Sequence, residues 1–292
     1  MSKPKLEQWH VTWASLGRMP VAPEEARRRE LARAIPPRCR NTLVLFAVVD
    51  DHVHVWLYGT RSELVRAVRS LSFLLRGLAA APVEEAYIEE VRSKRHAQVL
   101  MPYLLTQPDH HALGAHPATW SGVATADLLG ARDLGWTPRL WDAVQPLGRR
   151  DVHAAVGLPP VELLPADSGM IASFGVERLA AAAAAAFAAP PELSDRTPAS
   201  LSAVRVAWHL AREAGFLQRD LAAAVGRSRG EVWRLEPDDL PAKAVRTVRL
   251  RVALEVAASS AAAPMPAPPP IVLGATEPPV ARPGRRPRRA RA

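Results

Sequence analysis

The order of strand-like and helix-like segments in the first 107 residues constrains the fold of this chain more than any other feature. Alternating apolar and polar residues indicate strands, and apolar residues that recur every three or four positions indicate helices. In chain order the segments are strand 8–15, helix 23–35, strands 41–49 and 52–58, helix 61–78, strand 83–91 and helix 94–107. This βαββαβ order predicts an α+β fold with an antiparallel sheet, of the ferredoxin-like or split βαβ plan.

Composition divides the whole chain into four zones. Residues 1–155 form the predicted mixed domain. Residues 156–198 hold two proline pairs and a run of alanines, which predicts mainly an Ala/Pro-rich spacer with room for one short helix. Residues 199–258 have helical patterns throughout and predict a small all-α domain. Residues 259–292 are rich in proline and then arginine, and we expect a disordered basic tail.

The charge of the chain is concentrated at its C-terminus. The formal net charge is +9, and residues 281–292 contain six arginines and no acidic residue. Such a segment favours a polyanionic partner. We expect nucleic acid rather than membrane, because no basic amphipathic helix with an aromatic face is present.

Cysteine content and hydropathy narrow the class of protein further. Cys39 is the one cysteine, which excludes an internal disulfide framework and a cysteine-based zinc finger. We therefore expect a cytoplasmic, nucleoid-associated protein. The sequence contains no signal-peptide pattern and no apolar run of membrane-spanning length, so no membrane partner is expected.

Two histidines one residue apart stand in the predicted strand 52–58. Alternation places His52 and His54 on one face of the strand, with Val53 and Val55 on the other. Two such imidazoles can chelate a metal ion, and they can equally lie solvated at the edge of a sheet. The spacing by itself leaves both interpretations open.

A tyrosine and a glutamine four residues apart follow in the predicted helix 94–107. Tyr103 and Gln107 share one face of that helix, so a phenol and an amide oxygen could meet the histidine pair. A phenolate is a nucleophile able to form a phosphotyrosine. A divalent cation held by two imidazoles and an amide oxygen would polarise a phosphodiester. Together these residues indicate phosphodiester cleavage and rejoining.

These motifs resemble those of a known family. DHVHVWL is similar to the HUH motif (His, hydrophobic residue, His) of single-strand DNA endonucleases. With WHVTW, VRSKRH and YLLTQPDHHALGAHPATWSGVATADLLGAR, it resembles the REP-associated, one-tyrosine HUH transposases over Gln8 to Ala131. The resemblance implies that His52, His54 and Gln107 are metal ligands and that Tyr103 is the nucleophile.

The resemblance also implies cofactors, substrates and assembly. Members of this family use Mg²⁺ or Mn²⁺, cut single strands at hairpin-flanked sites, and remain attached to the 5′ phosphate. A homodimer whose Tyr103-bearing helices are exchanged between subunits is implied as well. Because these hard ions prefer oxygen ligands, we expect a site with two histidines to bind them only moderately without DNA.

Neighbouring polar residues carry weaker expectations. We expect His10 to pack or to contact DNA, with a place in the metal site as the alternative. His110 and His111 are expected to cap the helix or touch phosphate, and metal ligation is the less favoured reading. Asp50 is expected to be a turn residue, although its carboxylate could orient an imidazole.

A second DNA-binding element is predicted at residues 218–236. The segment QRDLAAAVGRSRGEVWRLE is typical of a helix-turn-helix, with Gly226 at the turn, and with the helix before it resembles the C-terminal domain of the DnaA initiator. Arg227, Arg229 and Arg234 are the predicted contacts to duplex DNA. The alternative is a three-helix bundle with solvated arginines.

Two rival functions remain open. One is a non-catalytic DNA-binding regulator that reuses an HUH domain, which the presence of the complete residue set disfavours. The other is an RNA-binding module, which would require exposed aromatic residues on the sheet. The sequence therefore predicts a transposase-like endonuclease with an appended helix-turn-helix.

Overall fold

The computed structural model describes residues 4–144, 147–235 and 239–261 of this 292-residue chain. The predicted tail thus falls almost entirely outside the described residues, and its expected disorder and its arginines stay predictions. Of the residues named as candidate DNA contacts, Arg227, Arg229 and Arg234 all lie inside the described ranges.

Four strands form one antiparallel sheet. They are β1 (Leu6–Ala14), β2 (Leu43–Val48), β3 (His52–Thr60) and β4 (Tyr87–Glu90). The spatial order is β2-β3-β1-β4, and each neighbouring pair is antiparallel. The prediction of a mixed α+β fold with an antiparallel sheet is confirmed.

The described residues also contain thirteen α-helices. In chain order they are α1 (Glu25–Cys39), α2 (Arg61–Leu78), α3 (Lys94–Leu105), α4 (Gln107–His110), α5 (Thr125–Leu128), α6 (Leu140–Ala143), α7 (Arg149–Ala155), α8 (Ser168–Phe174), α9 (Val176–Ala186), α10 (Pro198–Glu213), α11 (Gln218–Ala224), α12 (Arg229–Arg234) and α13 (Ala242–Ser260). Among the described residues no single helix is long and apolar enough to cross a membrane. Within the described ranges, one bent pair, α8 with α9, reaches that length and composition across a bend of 108°.

The sheet has one apolar face and one face that carries polar side chains. Alternation along β1 and β3 places Val11, Trp13 and Val53 on the side of α1 and α2. Trp13 is fully buried there, and its indole Nε1 donates a hydrogen bond to Ser72 Oγ of α2 at 3.0 Å. The opposite face, which includes His54, is the side on which α3 lies.

The loop after α4 is hydrogen-bonded to the edge strand β2. Gly122 O accepts a hydrogen bond from Val48 N at 2.8 Å, and a side chain at Gly122 would collide with the Val48 carbonyl. Arg132 is buried and donates to the backbone carbonyl of Val123 at 2.7 Å and, through Nε, to Asp127 Oδ2 at 3.0 Å. The loop is therefore a rigid part of the first core, the buried cluster that contains Trp13, Phe46, Trp56, Leu71 and Leu100.

The segment predicted to be a spacer is helical and buried. Helices α8 and α9 lie within 156–198, and they pack with α10 into a second core that contains Ile171, Leu179, Ala183, Val204, Leu221 and Val232. The interpretation of this segment as mainly a spacer with one short helix is therefore wrong. Alanine has the highest helix propensity and its small side chain permits close helix packing, whereas a run of alanines lacks the apolar periodicity by which a helix is identified in a sequence.

Helix α13 belongs to both cores. Leu250 and Leu254 pack in the first core, and Val248 and Val252 pack in the second. Arg251 extends the connection by donating from Nη2 to the Thr119 carbonyl oxygen at 3.1 Å. The C-terminal helices are consequently in direct contact with the sheet-bearing part of the chain.

Candidate active site and metal centre

The two histidines of β3 lie side by side on the polar face of the sheet. The ring centroids of His52 and His54 are 4.4 Å apart, with the ring planes nearly perpendicular. The ring of Tyr103, on α3, lies 5.8 Å from that of His54. The structure thus brings three of the four residues selected from the sequence into direct contact.

Gln107 also lies at this site, but on a different helix from the one predicted. Helix α3 ends at Leu105, and Gln107 begins the separate helix α4 after a break at Thr106 (φ −98°, ψ 12°). The prediction of one continuous helix 94–107 is therefore wrong. Gln107 is nevertheless 1% exposed, and its Nε2 donates to the Tyr103 carbonyl oxygen at 3.2 Å.

Two buried polar atoms in this site make no hydrogen bond of regular geometry among the described residues, although the two side chains are close enough for Gln107 to raise the pKa of His54. They are His54 Nε2 and Gln107 Oε1. Buried polar atoms are almost always paired because an unsatisfied one costs about 1–3 kcal/mol. Both atoms have lone pairs that a cation can accept, so the chemistry of this pair fits a metal ion.

Asp50, Asp51, His52 and His111 form a group that could hold a metal ion. His52 Nδ1 lies 2.5 Å from Asp51 Oδ1, and His111 Nδ1 lies 2.7 Å from Asp50 Oδ1. Sequence reasoning considered Asp50 and His111 as lesser alternatives and did not consider Asp51. Two adjacent aspartates directly before the first histidine were the available signal.

The charge of Asp51 is stabilised by this cluster. Burial by itself would raise the pKa of Asp51, but the hydrogen bond with His52 and the nearby His52, His111 and Arg18 outweigh it and lower that pKa. Asp51 is therefore an ionised acceptor for His52 Nδ1, which leaves His52 Nε2 to face a ligand.

Burial keeps the inner histidines neutral. It is the largest cause that lowers the pKa of His54 well below its usual value; His52, His10 and His111 add to it, and Gln107 opposes it. Burial, together with His96 and His52, lowers the pKa of His10 to about 4. At neutral pH both imidazoles are uncharged and can act as ligands or hydrogen-bond partners.

Tyr103 is the tyrosine that shares this site. Its ring is half-buried and lies 5.6 Å from the ring of His110 and 6.4 Å from that of His10. By contrast, Tyr87 is exposed on β4, and Tyr58 lies under the guanidinium of Arg139 at 4.9 Å.

The three arginines selected as DNA contacts are in different environments. Arg227 donates from Nε to the Leu193 carbonyl oxygen at 2.9 Å and from Nη2 to the Asp195 carbonyl oxygen. Its guanidinium is therefore engaged with the protein, which argues against the DNA contact expected for it. Arg229 and Arg234 are exposed on α12.

Helices α11 and α12 present one large residue that sequence reasoning missed. Trp233 on α12 is 63% exposed, four positions after Arg229 and so on the same face of the helix. Gly226 in the turn before α12 has a φ of 62°, a left-handed conformation that glycine adopts without strain. The exposed tryptophan and arginines define one outer face of this helix pair.

Three comparisons with known proteins were negative. No protein-family model, curated protein or solved structure matches the chain. The functional argument consequently depends on the residues and geometry of the site.

Proposed function

We propose that this chain is a metal-dependent single-strand DNA endonuclease and strand transferase of the one-tyrosine HUH type. The observation that carries the proposal is the pair of buried atoms that make no regular hydrogen bond among the described residues, His54 Nε2 and Gln107 Oε1. They lie in a cluster with His52 and with the one tyrosine, Tyr103, that contacts these histidines.

The arrangement of the sheet supports the finer fold proposal. Helix α1 connects β1 to β2, and helix α2 connects β3 to β4. In the order β2-β3-β1-β4, one other strand lies between the two strands of each connection. This is the arrangement expected of a split βαβ, or ferredoxin-like, plan. We propose that plan for the sheet-bearing part, and a helix-turn-helix for α11 and α12.

We propose His52, His54 and Gln107 as the ligands of one divalent cation, Mg²⁺ or Mn²⁺. Asp51 accepts a hydrogen bond from Nδ1 of His52, which leaves Nε2 of that imidazole free to face the cation. When bound, the cation would polarise a phosphodiester and offset charge in the transition state.

Tyr103 supplies the nucleophile in this proposal. Its phenol loses a proton, and its oxygen forms a bond to the phosphorus of a single strand. The bond from phosphorus to the 3′ oxygen breaks, and that oxygen takes up a proton and leaves as a hydroxyl. The 5′ phosphate stays on Tyr103 as a phosphodiester, which conserves the bond for later rejoining.

A covalent-adduct assay tests the proposal directly. Full-length protein is incubated with Mn²⁺ and a labelled, hairpin-bearing single strand, and the adduct is located by peptide mass spectrometry. We expect an adduct at Tyr103, with loss of adduct and cleavage in Tyr103→Phe. Tyr87→Phe is the matched control and should retain both.

The same assay decides between this function and the non-catalytic regulator. Metal-dependent strand binding without any cleavage by the unaltered protein would favour a regulator. An adduct that persists in Tyr103→Phe would assign the nucleophile to another residue.

A further inference from the structure

Three strands place a row of polar side chains across the sheet at the proposed metal site. In the strand register, His10 of β1 lies opposite Glu89 of β4, and Thr12 of β1 lies opposite His54 of β3. Directly paired residues, and residues two apart on one strand, point to the same face. Glu89, His10 and His54 therefore follow one another across one face of the sheet.

Ring nitrogens and a carboxylate connect the members of this row. His10 Nε2 lies 3.1 Å from His54 Nδ1, and the two rings stack with centroids 5.1 Å apart. On its other side, His10 Nδ1 lies 3.8 Å from Glu89 Oε2. His10 Nδ1 is buried and has no hydrogen-bond partner within the described part of the chain, and the Glu89 carboxylate lies just beyond hydrogen-bond distance from it.

Proton placement along the row is limited by simple chemistry. A neutral imidazole has one N–H donor and one acceptor nitrogen. If the lone pair of His54 Nε2 is to hold a cation, the hydrogen must be on Nδ1, where the acceptors in reach are His10 Nε2 at 3.1 Å and Thr12 Oγ1 at 3.0 Å. The chain across the sheet uses His10 Nε2 as the acceptor. His10 then has its hydrogen on Nδ1, directed at Glu89. An ionised carboxylate only accepts, so Glu89 favours this direction over the reverse.

We propose that Glu89, His10 and His54 form a carboxylate–imidazole–imidazole chain in which His10 is a positioning residue. The inference rests on the proposed function, because it concerns the same metal site. His10 holds His54 as the Nδ1–H tautomer and presents its Nε2 to the cation. Single carboxylate–histidine pairs do this at many metal sites, and here a second imidazole extends the pair across one more strand.

Glu89 lies between two imidazoles, each 3.8 Å from one of its carboxylate oxygens. His96 Nε2 of α3 lies 3.8 Å from Glu89 Oε1, opposite the contact with His10. Strand β4 thereby places the carboxylate of Glu89 on the face of the sheet that carries His10 and His54. The four-residue β4 thus has a role at the site as well as in the sheet.

The tautomer of His54 is the first measurement. Nitrogen-15 NMR of the full chain, with labelled histidine and no metal added, distinguishes a protonated Nδ1 from a protonated Nε2. We expect Nδ1–H at His54 in the unaltered protein and in His10→Gln, whose amide oxygen can replace His10 Nε2 as acceptor. His10→Leu should lose this preference. An Nε2–H tautomer in the unaltered protein would overturn the inference, whether or not the protein cleaves DNA.

Mn²⁺ affinity is the second measurement. Loss of such an outer partner typically costs about 10–100-fold in metal affinity, and we expect that loss in His10→Leu with recovery to within about threefold in His10→Gln. His153→Leu is the matched control, because His153 is also buried but bonds the Pro159 carbonyl away from the site. Its affinity should be unchanged. A loss in Thr12→Val without one in His10→Leu would assign the role to Thr12, whose hydroxyl lies 3.0 Å from His54 Nδ1.

Discussion

His111 Nδ1 lies 2.7 Å from the carboxylate of Asp50, which joins the segment after α4 to the turn between β2 and β3. The contact places a third histidine against His52, with ring centroids 4.7 Å apart. His52 therefore has two sets of neighbours, His54 with Gln107 on one side and Asp50, Asp51 and His111 on the other. A cation bound to His52 can use either set.

Mn²⁺ binding to single variants decides between these two sets. We expect His54→Ala to lower affinity by about 100-fold or more, because no neighbour can replace that buried nitrogen. Gln107→Ala should lower it by about tenfold, since water can replace an amide oxygen. Electron paramagnetic resonance titration of the full chain is the measurement.

The control variants for that titration are Asp50→Asn and His111→Ala. Both should change the Mn²⁺ affinity by less than about threefold if the ion lies between His52, His54 and Gln107. The opposite pattern would place the ion in the group of Asp50, Asp51, His52 and His111.

Asp127 should be a strong determinant of stability. Asp127 is buried and accepts hydrogen bonds from Arg132 Nε at 3.0 Å and from Trp136 Nε1 at 3.3 Å. Without this carboxylate, the buried guanidinium of Arg132 would lose its counter-charge. We expect Asp127→Ala to lower the free energy of unfolding by about 3–5 kcal/mol, as for other broken buried pairs. Urea denaturation measures it.

Asp142→Ala is the matched control for that loss. Asp142 is 62% exposed and pairs with Arg139 three residues earlier. Such surface pairs contribute about 0.2–1 kcal/mol, so the change should be small. Equal losses in the two variants would mean that the Asp127–Arg132 pair does not stabilise the loop.

Cys39 should report unfolding by its reactivity. The thiolate is the reactive form, and burial raises the pKa of the Cys39 thiol. At pH 8.5 we expect a thiol reagent to label native protein on the order of a hundredfold more slowly than protein in urea. Because Cys39 is the single cysteine, the label needs no further assignment. Rapid labelling without denaturant would contradict the packing of α1 against α2 and β2.

The outer face of α12 should contribute to binding of duplex DNA. We expect Arg229→Ala and Trp233→Ala each to weaken binding about tenfold, the scale of one good base contact. Fluorescence anisotropy with several duplexes measures the effect. Arg178→Ala is the control, because Arg178 is exposed but lies over Phe174 of α8, away from α12. Unchanged binding in both α12 variants would favour the alternative of a helical bundle with solvated arginines.

Two truncations distinguish the contribution of the basic tail from that of α13. Removing residues 262–292 should leave the free energy of unfolding unchanged and make DNA binding less dependent on salt, since fewer phosphate contacts release fewer counterions. Removing residues 239–292 takes away Leu250 and Leu254, and we expect it to lower the stability of the first core and reduce cleavage. A stable, fully active shorter fragment would show that α13 is dispensable to the site.

The sequence by itself determined what depends on near neighbours along the chain. The period of two along a strand is local geometry, so His52 and His54 had to share a face. The order of segments similarly predicted the sheet, because each strand and helix has its own apolar pattern. Spacing also linked Tyr103 to Gln107, and a hydrogen bond joins them even though the helix breaks between them.

Only the tertiary structure decided which distant residues meet these neighbours. His10 joins the site through strand register, and His111 joins it through the return of the chain after α4. No local sequence period encodes either contact. Helices α8 and α9 are stable because α10 and α13 cover their alanines, a contribution made by partners far along the chain. Helix α13 packs against both cores for the same reason. An apolar side chain is stabilised by any apolar surface that it meets in the folded chain, however far away that surface is in the sequence.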